Sequence, residues 1–202
     1  MNTTHMKKYI AEFIGTAILT LAILSSIAQG AGFVTVLTAG IALALLVSYI
    51  GSVSGAHVNP AITIGLLSIK KINWKDAIGY VLAQFAGAAL AMILVRLHGV
   101  SMPSIEASFS WTGLVAELLA TFVFAFGVAR IVSMEDTTSA SIKAPFVVGV
   151  SLALGVTLAV ILGSNAVLNP AVAFGITSFG IVYVVGPVIG AIAGFWAEKV
   201  LR

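Results

Sequence analysis

Six stretches of this chain are each long and apolar enough to cross a bilayer, and nothing else in the sequence constrains the fold as much. They run from Tyr9 to Ile27, Phe33 to Ile50, Ala77 to Leu97, Trp111 to Val132, Ala144 to Leu162 and Ile181 to Val200. A helix needs roughly 20 apolar residues to cover the hydrocarbon core. Composition agrees: 60% of the 202 residues are hydrophobic and 8% are charged, where a soluble domain carries about 25% charged residues. Too few charges remain to wet a surface of this size, so lipid must cover much of it. Two further apolar pieces begin at Asn59 and Asn169 and are too short to cross. Segments of that length are expected as re-entrant half-helices, tolerated at membrane depth where protein buries them or water lines them. The expected fold is an all-α membrane protein of six transmembrane helices and two re-entrant half-helices, with residues 1–202 forming a single domain.

Charge orients the spans. With both termini on one side, Lys7, Lys8, Lys70, Lys71, Lys75, Arg130, Lys143, Lys199 and Arg202 fall together, and Arg96 alone falls opposite. Basic residues collect on the cytoplasmic side, so a multi-pass cell-membrane protein with both termini cytoplasmic is expected. These residues sit singly or in pairs beside apolar spans, so the net charge of +3 does not indicate a nucleic-acid partner. Cysteine is absent, which excludes disulfides, thiolate metal sites and thiol nucleophiles. Lys7 and Lys8 lead into the first span without a small-residue cleavage site, so that span is expected to be retained.

The chain also repeats. Ala11-Glu12-Phe13-Ile14-Gly15-Thr16 resembles Ala116-Glu117-Leu118-Leu119-Ala120-Thr121, and Asn59-Pro60-Ala61 with Gly65 matches Asn169-Pro170-Ala171 with Gly175. Gly79, Ala83 and Gly87 echo Gly186, Gly190 and Gly194. These landmarks share nearly one offset, so residues 1–105 and 106–202 read as two halves of one layout. Each half holds three spans, an odd number, so the second must enter the membrane inverted. Inverted repeats place a binding or conduction site near the midplane, at discontinuous helices. The small residues allow close helix approach and carry no functional meaning by themselves.

Asn is a preferred N-cap and Pro is favoured at the first helical position, so each Asn-Pro-Ala triplet starts a short helix. Two such helices entering from opposite faces bring their N-termini together near the midplane. Each presents a positive dipole end, and each Asn can offer an amide N–H to a passing oxygen.

Ser54-Gly55-Ala56-His57-Val58-Asn59-Pro60-Ala61-Ile62-Thr63 resembles the first signature of the aquaporin, or major intrinsic protein, family. Asn165 to Gly175, reading N-A-V-L-N-P-A-V-A-F-G, resembles the second. The resemblance extends over nearly the whole chain. It implies a right-handed six-helix bundle, a homotetramer with one pore per subunit, and exclusion of cations by the two half-helix ends, as in aquaporin-type pores. Glu12 and Glu117 lie inside apolar spans, where a carboxylate is costly. The expected role is structural, accepting backbone N–H groups freed by the broken helices. Gln84 resembles a residue that braces the same loops, and His57 reads as structural or pore-lining. No second ligand accompanies His57 at useful spacing, and no metal or cofactor is expected.

Water-selective relatives narrow the pore with an aromatic, a His and an Arg, the Arg directly after the second triplet. Here that position is Val172, and spacing from the triplets carries the other filter positions to Ala39, Thr157 and Ala166. An Arg supplies a fixed charge and five donors; Val removes both, so a wide, arginine-free filter is expected. The second signature also resembles plant vacuolar-type members, which implies passage of ammonia, urea or hydrogen peroxide beside water. Glycerol channels of the family typically carry Asp two residues after the second Ala, where this chain has Ala173.

The expected function is a passive channel for water and small uncharged solutes. The alternatives are a broader glycerol, urea and ammonia facilitator with little water specialism, or a structural membrane protein with a closed pore. A coupled transporter needs acids along the pathway, and Glu12 and Glu117 lie near span starts instead. No nucleophile–base or metal-ligand set suggests an enzyme.

Overall fold

The computed structural model describes residues 3–100 and 108–202, so the expected boundary between the halves at 105 and 106 lies outside the described residues. Six long helices are present: α1 Thr3–Ala28, α2 Phe33–Ser54, α4 Trp74–Leu97, α5 Trp111–Val132, α6 Thr137–Ile161 and α8 Ile181–Val200. Between them stand two short ones, α3 Pro60–Ser68 and α7 Pro170–Gly175. At a rise of 1.5 Å per residue, the shortest long helix reaches about 30 Å and the short pair about 14 and 9 Å. Only the long six match the hydrocarbon thickness, and these six are apolar enough to span it.

Three long helices begin earlier than apolar length alone indicates, α4 by three residues at Trp74 and two others by more. The stretch read from Ala144 belongs to a helix starting at Thr137, and the stretch read from Tyr9 to one starting at Thr3. Polar residues continue α6 towards the headgroup region because Asp136 caps it, accepting from the N–H groups of Thr138 and Ser139. Asn73 and Ser110 cap α4 and α5 in the same manner.

α1 packs on α2 and α4, α5 packs on α6 and α8, and α2 meets α6. Each short helix crosses to the opposite set: α3 lies against α8, and α7 against α4. Exchanging α1–α4 for α5–α8 leaves this scheme of major pairings unchanged. Glycines permit the tightest approaches. A Cβ on Gly87 would collide with the carbonyl oxygen of Phe13, and one on Gly190 with that of Leu118. Phe13 and Leu118 each follow the glutamate of their helix, so Gly87 corresponds to Gly190. The sequence pairing of Gly87 with Gly194 is therefore one helical turn out. Because small residues recur every fourth position there, either register satisfies the pattern.

The outer surface carries apolar side chains in stripes, such as Ile10, Ile14 and Ile18 on α1 and Leu37, Ile41, Leu45 and Tyr49 on α2. In water such stripes would be a liability; against lipid tails they are the expected boundary. On one face of the bundle, His5 of α1 pairs with Asp76 of α4 at 2.7 Å, and Arg130 of α5 approaches Glu198 of α8 at 3.8 Å.

Candidate functional site

The two triplets meet in the middle of the bundle. Asn59 caps α3, its Oδ1 accepting from the Ala61 N–H at 2.8 Å; Asn169 caps α7, its Oδ1 accepting from the Ala171 N–H at 3.0 Å. Pro60 and Pro170 occupy the first helical positions, where a missing N–H costs nothing. Each asparagine also reaches the other loop. Asn59 Nδ2 donates to the Leu168 carbonyl at 2.9 Å, and Asn169 Nδ2 to the Val58 carbonyl at 2.8 Å. An amide NH2 carries two donors, so each asparagine retains one for another acceptor.

The loops before the triplets share an unusual backbone. Ala56 and Val58 have φ of 50° and 42°, and Ala166 and Leu168 have 58° and 54°. Left-handed conformations cost non-glycine residues about 1–3 kcal/mol each, most for a β-branched residue such as Val58. Buried carboxylates hold them. Glu12 Oε1 accepts from the Ser54 hydroxyl at 2.6 Å and the His57 N–H at 3.0 Å; Oε2 accepts from the Val58 N–H at 2.7 Å and Gln84 Nε2 at 2.8 Å. Glu117 repeats this with the Ser164 hydroxyl and the N–H groups of Val167 at 2.9 Å and Leu168 at 2.7 Å. Both glutamates are fully enclosed. They act as acceptors for backbone donors that a broken helix leaves without partners.

The halves differ in what surrounds this core. Gln84 Nε2 bridges Glu12 and the Thr63 hydroxyl, and His57 Nδ1 lies 3.2 Å from the same hydroxyl. In the second half the corresponding positions are Pro187, Ala173 and Val167. The three polar side chains added around α3 thus have apolar counterparts around α7.

Two cavities adjoin the loop that precedes α3. The first, about 190 Å³, opens between the α1–α2 connection and the loop after α6; the second, about 280 Å³, opens beside Lys71, Val132 and Ala144. Both are bordered by Leu43, His57 and Phe124, and the first is also lined by Asn59 and Asn169. Ala39, Ala166 and Val172 line the first cavity, and no residue lining it is charged.

Thr157, expected in the filter, does not line that wall. Its hydroxyl donates to the Ala153 carbonyl of its own helix at 2.8 Å. Leu152, Val156 and Val160 form the contribution of α6, four residues apart on one face. Counting back from Asn169 lands one residue past this stripe, and one residue turns a helix by about 100°. Val156 of α6 lines the same cavity as Ala39, Ala166 and Val172. Nothing in the sequence marked it, because α6 is apolar all round and shows no periodic face. Phe124 and Asn165 also line the first cavity unforeseen.

Compared with known families, residues 1–197 match the model described as Major intrinsic protein. The chain belongs to the major intrinsic protein family. As a member it is a multi-pass membrane channel for water or small neutral solutes, passive and without enzymatic chemistry. It is 31% identical over 222 residues to Aquaporin NIP1-1 of Oryza sativa subsp. japonica, covering 98% of this chain and 75% of that one. It is 32% identical over 218 residues to Glycerol uptake facilitator protein-like 6 of Lactiplantibacillus plantarum, covering 97% and 98%. The fold of this major intrinsic protein is similar to the X-ray structure of the aquaglyceroporin from Plasmodium falciparum, with a TM-score of 0.75 at 23% identity over 96% of this chain and 94% of that one.

Proposed function

We propose that the two cavities are the halves of one pore, conducting water and small uncharged solutes past Asn59 and Asn169 through a wide, arginine-free filter. The observation that carries this reading is that the first cavity is lined by both cross-bonded asparagines and shares Leu43, His57 and Phe124 with the second. Each asparagine keeps one N–H for a solute oxygen, and a cation finds donors there instead of acceptors. Flux is passive, because the buried acids Glu12 and Glu117 are engaged with the loops and line neither cavity. The filter comprises Ala39, Val156, Ala166 and Val172, small or apolar side chains that supply neither the bulk nor the fixed charge of a water-selective constriction. Ammonia, urea and hydrogen peroxide fit its chemistry.

The two halves, 1–105 and 106–202, act as inverted repeats; the matching glutamate–loop geometry supports this. The excess of basic residues on the face carrying the termini supports a cell-membrane protein with those termini cytoplasmic. The assembly is a homotetramer with one pore per subunit, testable by mass measurement in nanodiscs.

The function is tested by stopped-flow light scattering on proteoliposomes, comparing water, urea and glycerol for the wild type and Val172→Arg. Urea or glycerol flux in the wild type, lost in the Arg variant while water flux persists, supports the wide filter. Water flux alone in the wild type refutes it. Rates no faster than empty liposomes move the closed-pore reading to first place.

A further inference from the structure

The polar groups of the first cavity are unevenly committed. The Thr35 hydroxyl is paired with that of Ser26 at 2.8 Å, His57 Nδ1 lies 3.2 Å from the Thr63 hydroxyl, and Asn59 and Asn169 each give one N–H to the opposite loop. Asn165, beside Ala166 in the loop between α6 and α7, is the remaining amide of that wall. Its Nδ2 donates to the Tyr183 hydroxyl at 2.7 Å. Tyr183 is buried on α8 and does not line the cavity, whereas Asn165 does. The bond therefore turns the NH2 toward the bundle. The amide Oδ1, an acceptor with two lone pairs, has no hydrogen-bond partner among the described residues. Such a group is the reverse of an arginine at a filter: it accepts where arginine donates.

We propose that Asn165 is a specificity-determining residue, its Oδ1 accepting a hydrogen bond from the passing solute and favouring small neutral donors over solutes of equal size that lack N–H or O–H. This rests on the reading of the first cavity as part of the pore. A solute of the amide class meets complementary groups in turn: the acceptor of Asn165, then the free N–H groups of Asn59 and Asn169. Urea fits both; dimethyl sulfoxide, of similar size, fits only the second. Tyr183 acts through Asn165, as a positioning residue.

The test is proteoliposome flux of urea, dimethyl sulfoxide and water, each corrected for empty liposomes, for wild type, Asn165→Leu, Asn165→Gln and Tyr183→Phe. One net hydrogen bond sets the expected scale, so the urea to dimethyl sulfoxide ratio falls about threefold to tenfold in Asn165→Leu. Asn165→Gln, which keeps an acceptor, retains most of the preference, and Tyr183→Phe loses part of it. An unchanged ratio in Asn165→Leu, or an equal fall of both solutes, overturns the role of Asn165 and leaves the pore reading intact. Wild type that passes water but not urea does the same. Wild type at empty-liposome rates for all three overturns the pore reading and this one with it.

Discussion

Glu12→Gln places an NH2 among donors. Ser54, His57, Val58 and Gln84 all donate to this carboxylate, two to each oxygen. An amide offers one acceptor oxygen, so whichever way it sits, its NH2 faces the backbone N–H of either His57 or Val58. An orphaned buried N–H costs about 1–3 kcal/mol. The bonds that survive lose charge assistance, and such bonds are roughly twice as strong as neutral ones. Together the loss is about 3–6 kcal/mol, taking about 1–1.5 kcal/mol from each of two surviving bonds. Against it stand two left-handed residues, Ala56 and Val58, at about 1–3 kcal/mol each. The holding energy removed is thus comparable to the strain it restrains. The loop relaxes, and Asn59 loses the position from which it bonds the Leu168 carbonyl.

The assay is osmotic water permeability per folded channel in proteoliposomes, beside the temperature at which the detergent-solubilised protein leaves its monodisperse peak. Expected are a large loss of water flux and a lowered transition temperature. Glu117→Gln orphans one N–H in the same way, that of Val167 or Leu168, but gives up no glutamine partner, so its effect is the smaller. Wild-type flux and stability in Glu12→Gln would refute the reasoning, because the carboxylate would then not be what holds the strained loop.

Gln84→Leu leaves Glu12 with three donors, the number Glu117 already has, so flux should survive far better than in Glu12→Gln; equal losses in the two variants would count against the ranking. Gly87→Ala and Gly190→Ala each set a methyl against a carbonyl of the neighbouring helix, an overpacking that costs about 1–3 kcal/mol or more. Both should lower the thermal transition, while Gly51→Ala, with only a side-chain contact at 3.7 Å, should not. Val156→Phe, filling the first cavity, should cut urea flux severely. Thr157→Val, on a side chain bonded to its own helix, should leave it near wild type; the opposite order in flux assays would restore Thr157 to the filter.

The span count and the half-helices were legible because length and apolarity act directly: nothing short of about 20 apolar residues crosses, and Asn-Pro starts a helix whatever surrounds it. Helix ends were less so, because Asp136 caps a polar stretch that lipid-based reasoning assigns to a loop. The α6 wall failed for a different reason. A helix apolar on every side gives no sign of which face meets the cavity, so counting points to Thr157 where packing puts Val156 on the wall.

The shape of the two loops was the least legible part. Left-handed backbone usually announces itself through glycine, yet Ala56, Val58, Ala166 and Leu168 adopt it without one. Their conformation comes from residues more than forty positions away, the carboxylates of Glu12 and Glu117, which draw consecutive N–H groups inward. The same carboxylate geometry with different neighbours explains why one half can carry Gln84, Thr63 and His57 while the other manages with Pro187, Ala173 and Val167. The glutamate alone suffices to set the loop; the extra polar groups of the first half leave His57 on the wall where the two cavities meet. The asymmetry therefore reaches the cavities at one position: Gln84 and Thr63 are buried behind the loop, and only His57 lies on a cavity wall.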